Sequence, residues 1–320
     1  MSLHARETDK KGGEVSCFGE VNIMHLKLTA ADKTDVGKQR EQNEDAAYKR
    51  VESAEEGDQG LFIVADGMGG YQAGEVASRL TVETISKLLD SIFKPVFEQP
   101  TIKLDQSSLS PAPTVPEEGT KPADNSSSTE HKTRKLSETQ LSVAVEERLR
   151  TAVQEANRAI LSYGERKTAA RGLGSTVTAA IIQNDQAYIA NVGDSRTYLL
   201  RDNQLTALTQ DHSLVAKLVE SKQITAEEVY THPQRNLIYR SLGAGHRNID
   251  VDIFHETLRP GDKILLCSDG LWEMVHHQDL ENLVKEQSNP QVICDRLIAL
   301  ANDNGGEDNI TAIVIDISAH

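Results

Sequence analysis

Apolar positions recur along this chain with two periods. Val76, Ala77, Leu80, Ile85, Leu88, Leu89 and Ile92 fall on one face at helical spacing, as do Leu141, Val145, Leu149, Val153, Ala156 and Ile160. Ser137 and Gln140 have the spacing of a capping box, which predicts a helix start immediately before Leu141. Further helices are predicted around Gln278–Gln287 and Pro290–Ala301. Short runs rich in β-branched residues predict strands at Leu61–Ala65, Thr176–Ile182, Ala187–Val192, Arg196–Leu200, Ile249–Leu258, Lys263–Cys267 and Ile310–Ile317. Several follow one another across turns too short for a parallel crossover, so the pairing is expected to be antiparallel and the class α+β.

Between the first two helices the pattern stops. Six of the nine prolines lie between Pro95 and Pro122, among serines and threonines, and residues 95–136 read as a disordered surface insertion. Residues 1–22 read as a flexible tail, leaving 23–318 as a single domain. A mixed, turn-containing segment at about 211–245 is expected to form a flap.

Composition narrows the classes. The 320 residues carry 34 basic and 49 acidic side chains, a formal charge of −15, which repels phosphate backbones and anionic membranes. No apolar run reaches the roughly 18 to 20 residues of a membrane span, and the first residues lack a signal-peptide core. Three widely spaced cysteines fit free thiols in a reducing compartment. The expectation is a cytoplasmic monomer with no nucleic-acid or membrane partner.

The candidate chemistry lies in acidic residues beside apolar strands. Leu61–Ala65 runs into Asp66-Gly67, and Lys263–Cys267 into Ser268-Asp269-Gly270. Asp308 precedes the last strand, and Asp194 lies on a turn between strands. A carboxylate at the mouth of a buried strand is costly unless a cation or several donors compensate it. All-oxygen ligands without His or Cys favour Mg²⁺ or Mn²⁺ over zinc.

Six motifs occur in one order: Arg40-xxx-Glu44-Asp45, Val64-Ala-Asp-Gly-Met-Gly-Gly70, Gly174-Ser-Thr-Val-Thr178, Asn191-Val-Gly-Asp-Ser-Arg196, Ser268-Asp-Gly270 and Asp308-Asn-Ile-Thr311. Together they resemble the metal-dependent protein serine/threonine phosphatases of the PP2C (PPM) family, in a bacterial form. The resemblance implies a four-layer α-β-β-α sandwich with two central antiparallel sheets and a binuclear Mn²⁺ or Mg²⁺ centre. It implies that Asp66 bridges both metals, with the Gly67 carbonyl, Asp269 and Asp308 as further ligands, and that Asp194 helps hold a third, weaker ion. Glu44 and Asp45 would act through water or from the second shell. Arg40 would bind the substrate phosphate with its guanidinium fork, clear of the metals. The substrates implied are phosphorylated proteins, opposing a Ser/Thr kinase. Water activated at the centre would attack phosphoserine or phosphothreonine.

The chain departs from the eukaryotic pattern at Met68, where those members commonly carry a histidine proposed as general acid. A thioether cannot donate that proton, which falls to water at the metals or to another residue. Cys-x5-Arg and Gly-x4-Gly-Lys-Ser/Thr signatures are absent, which excludes cysteine phosphatases and P-loop NTPases. Two alternatives remain at this level, a small-molecule phosphoester hydrolase on the same scaffold and a phosphoprotein-binding pseudoenzyme.

Overall fold

The computed structural model describes residues 25–54, 57–69, 73–93, 138–167 and 172–320. The predicted tail at 1–22, the predicted insertion at 95–136, and Ser137 of the capping box lie outside the described residues.

Two antiparallel sheets stack face to face. The first runs β1 (Leu26–Asp35), β12 (Ile310–Ala319), β11 (Lys263–Cys267), β7 (Arg196–Arg201) and β8 (Gln204–Ala207). The second runs β10 (Asp252–Thr257), β6 (Gln186–Val192), β5 (Val177–Gln183), β3 (Gln59–Met68), β4 (Gly174–Ser175) and β9 (Leu242–Gly243), with β2 (Asp45–Glu52) also paired to β3. Strand alternation builds the layers. Phe62 and Val64 of β3, Ile264 and Leu266 of β11, and Ile313, Ile315 and Ile317 of β12 meet between the sheets. Their neighbours Leu61, Ile63 and Ala65 point to the helices over the second sheet, and Leu265, Cys267, Ala312 and Val314 to those over the first. A strand covered on both faces needs an unbroken apolar run, which is what these three have.

Over the second sheet lie α1 (Ala73–Leu89), ending in a 3-10 turn at Asp90–Phe93, and α2 (Glu138–Arg166). Val145, Leu149, Ala152, Val153, Ala156 and Ile160 form the buried stripe of α2. Leu88 and Leu141, placed on the apolar faces by spacing, are instead 47% and 45% exposed, because the sheet-covering stripe does not reach them. Over the first sheet lie the short α4 (Asp269–Trp272), α5 (His277–Glu286) and α6 (Pro290–Asp303). Helix α6 starts with Pro290 at its first turn, and the Asn289 side chain accepts the Gln291 N–H at 2.9 Å.

The segment expected as a flap contains α3 (Leu214–Glu220), capped by Ser213, and a 3-10 turn at Glu227–Thr231 before β9. Besides the two-residue β4 and β9, strands β1, β2 and β8 carried too little apolar signal to be predicted. Strand β1, LKLTAADKTD, is largely polar and exists because β12 pairs with all ten of its residues. Strand β2 is likewise held by β3, and β8 by β7.

Candidate active site

One end of the sandwich gathers the acidic residues. Strand β3 continues through Met68, so Asp66 and Gly67 stand within the strand rather than after it. There Asp66 pairs with Asp45 of β2, and Gly67 with Ser175 of β4. Thr176 fixes the Asp66 backbone twice, its N–H donating to the Asp66 carbonyl at 2.8 Å and its Oγ1 accepting the Asp66 N–H at 3.2 Å. The Thr176 hydroxyl also bonds Ser195 at 2.7 Å, tying the turn that carries Asp194 to the same strand.

Asp45 is buried, and its Oδ2 accepts the hydroxyls of Ser268 at 2.7 Å and Thr311 at 2.6 Å. Ser268 Oγ in turn accepts the Thr311 N–H at 3.0 Å, locking the start of α4 to the start of β12. That lock sets Asp269, in the first turn of α4, near Asp308. Gly270 completes the approach, since a Cβ there would lie 2.1 Å from the Asn309 carbonyl oxygen. Trp272 Nε1 donates to the Asp194 carbonyl at 2.9 Å, and the Arg196 guanidinium stacks on the Trp272 ring at 3.5 Å while bonding Asp211.

The charge on these groups is poorly compensated. Burial pushes Asp66 well above the usual carboxylate range, and Asp269, Asp45, Asp194 and Asp308 add to it. Burial does the same to Asp269, reinforced by Asp194, Asp308, Glu273 and Asp45. Asp194 is pushed up to about 7, first by burial and then by Asp211. Asp45 is pushed up to about 6 by burial, against the opposing hydroxyls of Thr311 and Ser268. Asp45 Oδ1, Asp269 Oδ1 and Glu273 Oε1 are buried without a hydrogen-bond partner. Such orphaned oxygens among mutually repelling carboxyls have the chemistry of a site for a hard cation. Among the described residues, however, no three His, Cys, Asp or Glu side chains stand together as a ready-formed ligand group.

Arg40 reaches the same end of the sandwich, where its Nη2 donates to Asp308 Oδ2 at 2.6 Å. Glu44 packs at the start of α1, where the Gly74 and Glu75 backbone N–H groups and Arg40 favour its charge, although burial raises its pKa overall. Its carbonyl accepts the Gly67 N–H at 3.1 Å. Arg235, between the 3-10 turn at Glu227–Thr231 and β9, donates to Glu273 at 3.1 Å and to Glu307 at 2.8 Å and so closes the acidic rim. Ser268 and Thr311 lay inside motifs already singled out, whereas Glu273, Arg235 and His212 carried no sequence signal.

The protein phosphatase 2C family model matches residues 37–296, from Gly37 beside the Asp308 turn into α6. The chain belongs to the protein phosphatase 2C family. As a member it is an enzyme, a hydrolase of phosphoric monoesters. The serine/threonine phosphatase stp of Listeria welshimeri is 34% identical over 291 residues, covering 90% of this chain and 96% of that protein. The serine/threonine protein phosphatase PstP of Mycobacterium tuberculosis is 33% identical over 298 residues, 91% of this chain but 45% of its own length. Among solved structures of the family, the M. tuberculosis PstP/Ppp crystal structure matches with TM-score 0.68 at 32% identity, covering 92% of this chain and 99% of that one. A structure of the PstP catalytic domain in complex with two manganese ions matches with TM-score 0.67 at 30% identity, over 92% and 99% of the two chains. The two-sheet sandwich of this chain is thus the protein phosphatase 2C architecture. No helix among the described residues is long and apolar enough to cross a membrane.

Proposed function

We propose that this phosphatase hydrolyses phosphoserine and phosphothreonine esters in proteins at a centre of two Mn²⁺ or Mg²⁺ ions, with a third and weaker ion beside them. Asp66, the Gly67 carbonyl, Asp269 and Asp308 would hold the pair, and Asp194 with Asp269 the third. Asp45 and Glu44 would act from behind them or through water. The observation that carries this reading is the set of buried carboxyls that raise one another's pKa, with Arg40, Arg196 and Arg235 at the margins, together with the orphaned oxygens of Asp45 and Asp269. Bound divalent ions supply positive charge for phosphoryl oxygens and acidify a coordinated water towards neutral pH.

The chain's own groups do the rest. Arg40, half-exposed and paired through one nitrogen with Asp308, keeps donors free for two phosphate oxygens. The Thr176, Ser195 and Ser268–Thr311 hydroxyl contacts hold the acidic backbone rigid, so little reorganisation accompanies substrate binding. The substrates proposed are proteins phosphorylated by a Ser/Thr kinase.

The test is dephosphorylation of a phosphopeptide panel with Mn²⁺ and with chelator, alongside calorimetric Mn²⁺ titration. Turnover of phosphopeptides that needs Mn²⁺, with at least two ions bound, is expected. Hydrolysis of p-nitrophenyl phosphate with no phosphopeptide turned over would instead indicate a small-molecule phosphoesterase.

A further inference from the structure

His212 is buried deep beside the site, and the phosphatase reading gives it no task. It sits one residue beyond Asp211, at the start of the segment expected as a flap, against the β6–β7 turn and the first residue of β10 in the second sheet. The Gly193 N–H donates to its Nδ1 at 3.0 Å, and the His212 N–H donates to the Gly193 carbonyl at 2.9 Å. These two bonds hold Gly193 at both its N–H and its carbonyl, and so fix the two peptide units that flank it. Because Nδ1 accepts, the ring proton is on Nε2, which donates to Asp252 Oδ2 at 3.0 Å; Arg240 Nη1, 2.8 Å from the same Nε2, then directs its hydrogens to Asp252 rather than to the ring. Arg240 Nη1 holds the other oxygen of Asp252 at 2.7 Å. The Tyr239 N–H donates to the His212 carbonyl at 2.9 Å, and the Tyr239 ring meets the imidazole edge-on. The last arm of the flap, Tyr239-Arg240, is therefore bound to the same histidine.

What the clamp holds is a turn open only to glycine. Gly193 has φ +109°, and a Cβ there would lie 2.6 Å from Thr176. The next residue is Asp194 and the one after is Ser195, whose hydroxyl bonds Thr176, the residue that fixes the Asp66 backbone. A path thus runs by hydrogen bonds from Arg240 and Asp252 through His212 to Gly193, along the backbone to Ser195, and by hydrogen bonds again through Thr176 to Asp66.

We propose that His212 is a positioning residue for Asp194, held by Asp252 and Arg240, and that through the Gly193 peptide it sets the carboxylate of the third-ion site relative to Asp66. The inference rests on the reading of Asp194 as a holder of that ion, and the flap's last arm becomes part of the same support.

The test compares His212→Gln with His212→Asn. Glutamine can still reach Asp252 in place of Nε2 but offers no acceptor at the Nδ1 position. Asparagine restores that acceptor and gives up Asp252. Two measurements are made on the full chain, amide hydrogen exchange at Gly193 without divalent ions, and Mn²⁺ binding by calorimetry and electron paramagnetic resonance. His212→Gln is expected to speed exchange at Gly193 and to weaken the weakest Mn²⁺ site about tenfold, the lower end of what losing an outer partner of a ligand costs, with the tighter ions changed by less than about twofold. His212→Asn should keep Gly193 protected and restore most of the affinity. Should His212→Gln not fold, Asp252→Ala, on the half-buried end of the path, is read in the same two assays with the same expectations. Unchanged exchange at Gly193, or equal behaviour of the Gln and Asn variants, overturns the proposal. Asp194→Ala is measured in parallel. Should it weaken the weakest site while His212→Gln does not, the positioning role is refuted and the reading of Asp194 survives. Should it leave Mn²⁺ binding unaltered, that reading fails and takes the proposed role with it, even with exchange at Gly193 accelerated.

Discussion

Asp45 and Asp66 face each other directly across the β2–β3 ladder, and only one of them is furnished with hydroxyl donors. Ser268 and Thr311 both point at Asp45, which keeps it near pKa 6, whereas the largest influences on Asp66 are burial and four acidic neighbours. The ladder therefore presents one carboxyl with a single oxygen satisfied by hydroxyls and its other oxygen orphaned, beside one dominated by burial and like charge.

Asp66→Asn and Asp308→Asn are expected to abolish Mn²⁺-dependent turnover. An all-oxygen site has no softer ligand in reserve, and losing a direct ligand should exceed the roughly 10- to 100-fold that an outer partner costs. Steady-state assays over a Mn²⁺ series check this; a variant saturating at the wild-type Mn²⁺ concentration and rate would refute the assignment.

In chelator the fold is expected to become more stable as the pH falls from 8 to about 5.5. Asp194 at about 7 and Asp45 at about 6 both lie above the ordinary 3.8, so the native state binds their protons more tightly than the unfolded chain does. Their contribution is fully present below 3.8 and is lost as the pH rises through 6 and then 7. At about 1.4 kcal/mol per pKa unit, the loss is on the order of a few kcal/mol. His212 acts in the opposite sense, because burial lowers its pKa and the neutral ring is lost only on acidification. Thermal melting at pH 5.5 and 8 reads the balance, and Mn²⁺ at pH 8 should raise Tm. A chelated protein that melts higher at pH 8 would contradict the charge assignment.

Arg40→Lys should retain bound Mn²⁺ but lose phosphate affinity, since lysine keeps the charge without the fork. One charge-assisted bond is worth about 1.5 to 3 kcal/mol, which predicts a fall in kcat/KM of roughly 10- to 100-fold. The Asp308 contact adds a second readout: because Arg40 leans on that carboxylate, Arg40→Ala should alter Mn²⁺ affinity, where a guanidinium remote from Asp308 would not.

Gly270→Ala is expected to lower both Tm and turnover. The added methyl would meet the Asn309 carbonyl oxygen at 2.1 Å, so α4 and the Asp308–Asn309 turn must separate. A variant with wild-type Tm and activity would mean that this junction yields freely.

Arg235→Ala releases the flap from Glu273 and Glu307. Relative kcat/KM across a phosphopeptide panel should change from peptide to peptide. A uniform change across all peptides would show that the flap does not contribute to substrate choice.

The two-sheet class and the strands that feed the site were legible because they are buried on both faces and so read as apolar runs, as in Leu61–Ala65 and Lys263–Cys267. Strand β1 was not, because its ten residues are mostly polar and its pairing comes from β12, far along the chain. Asp66, Asp269 and Asp308 stood out beside apolar strands, but the partners that hold the site do not announce themselves. Ser268 and Thr311 matter through where their hydroxyls meet at Asp45, and His212 through a backbone contact to Gly193, neither of which has a period or a spacing. Arg40 was placed by motif alone, and its lean onto Asp308 depends on the fold.

The pairing of β1 with β12, from Leu26 opposite Ala319 to Asp35 opposite Ile310, also governs when the enzyme can exist. The first sheet has its earliest strand waiting for its latest, and such long-range closure is slow and comes late in folding. Domains generally fold as units, so the site that joins Asp66 and Asp194 to Asp308 waits for β12, the partner of both β1 and β11. A chain stopped before Asp308 would lack that carboxyl and β12 together, and so would present an unfinished acidic mouth and an open first sheet.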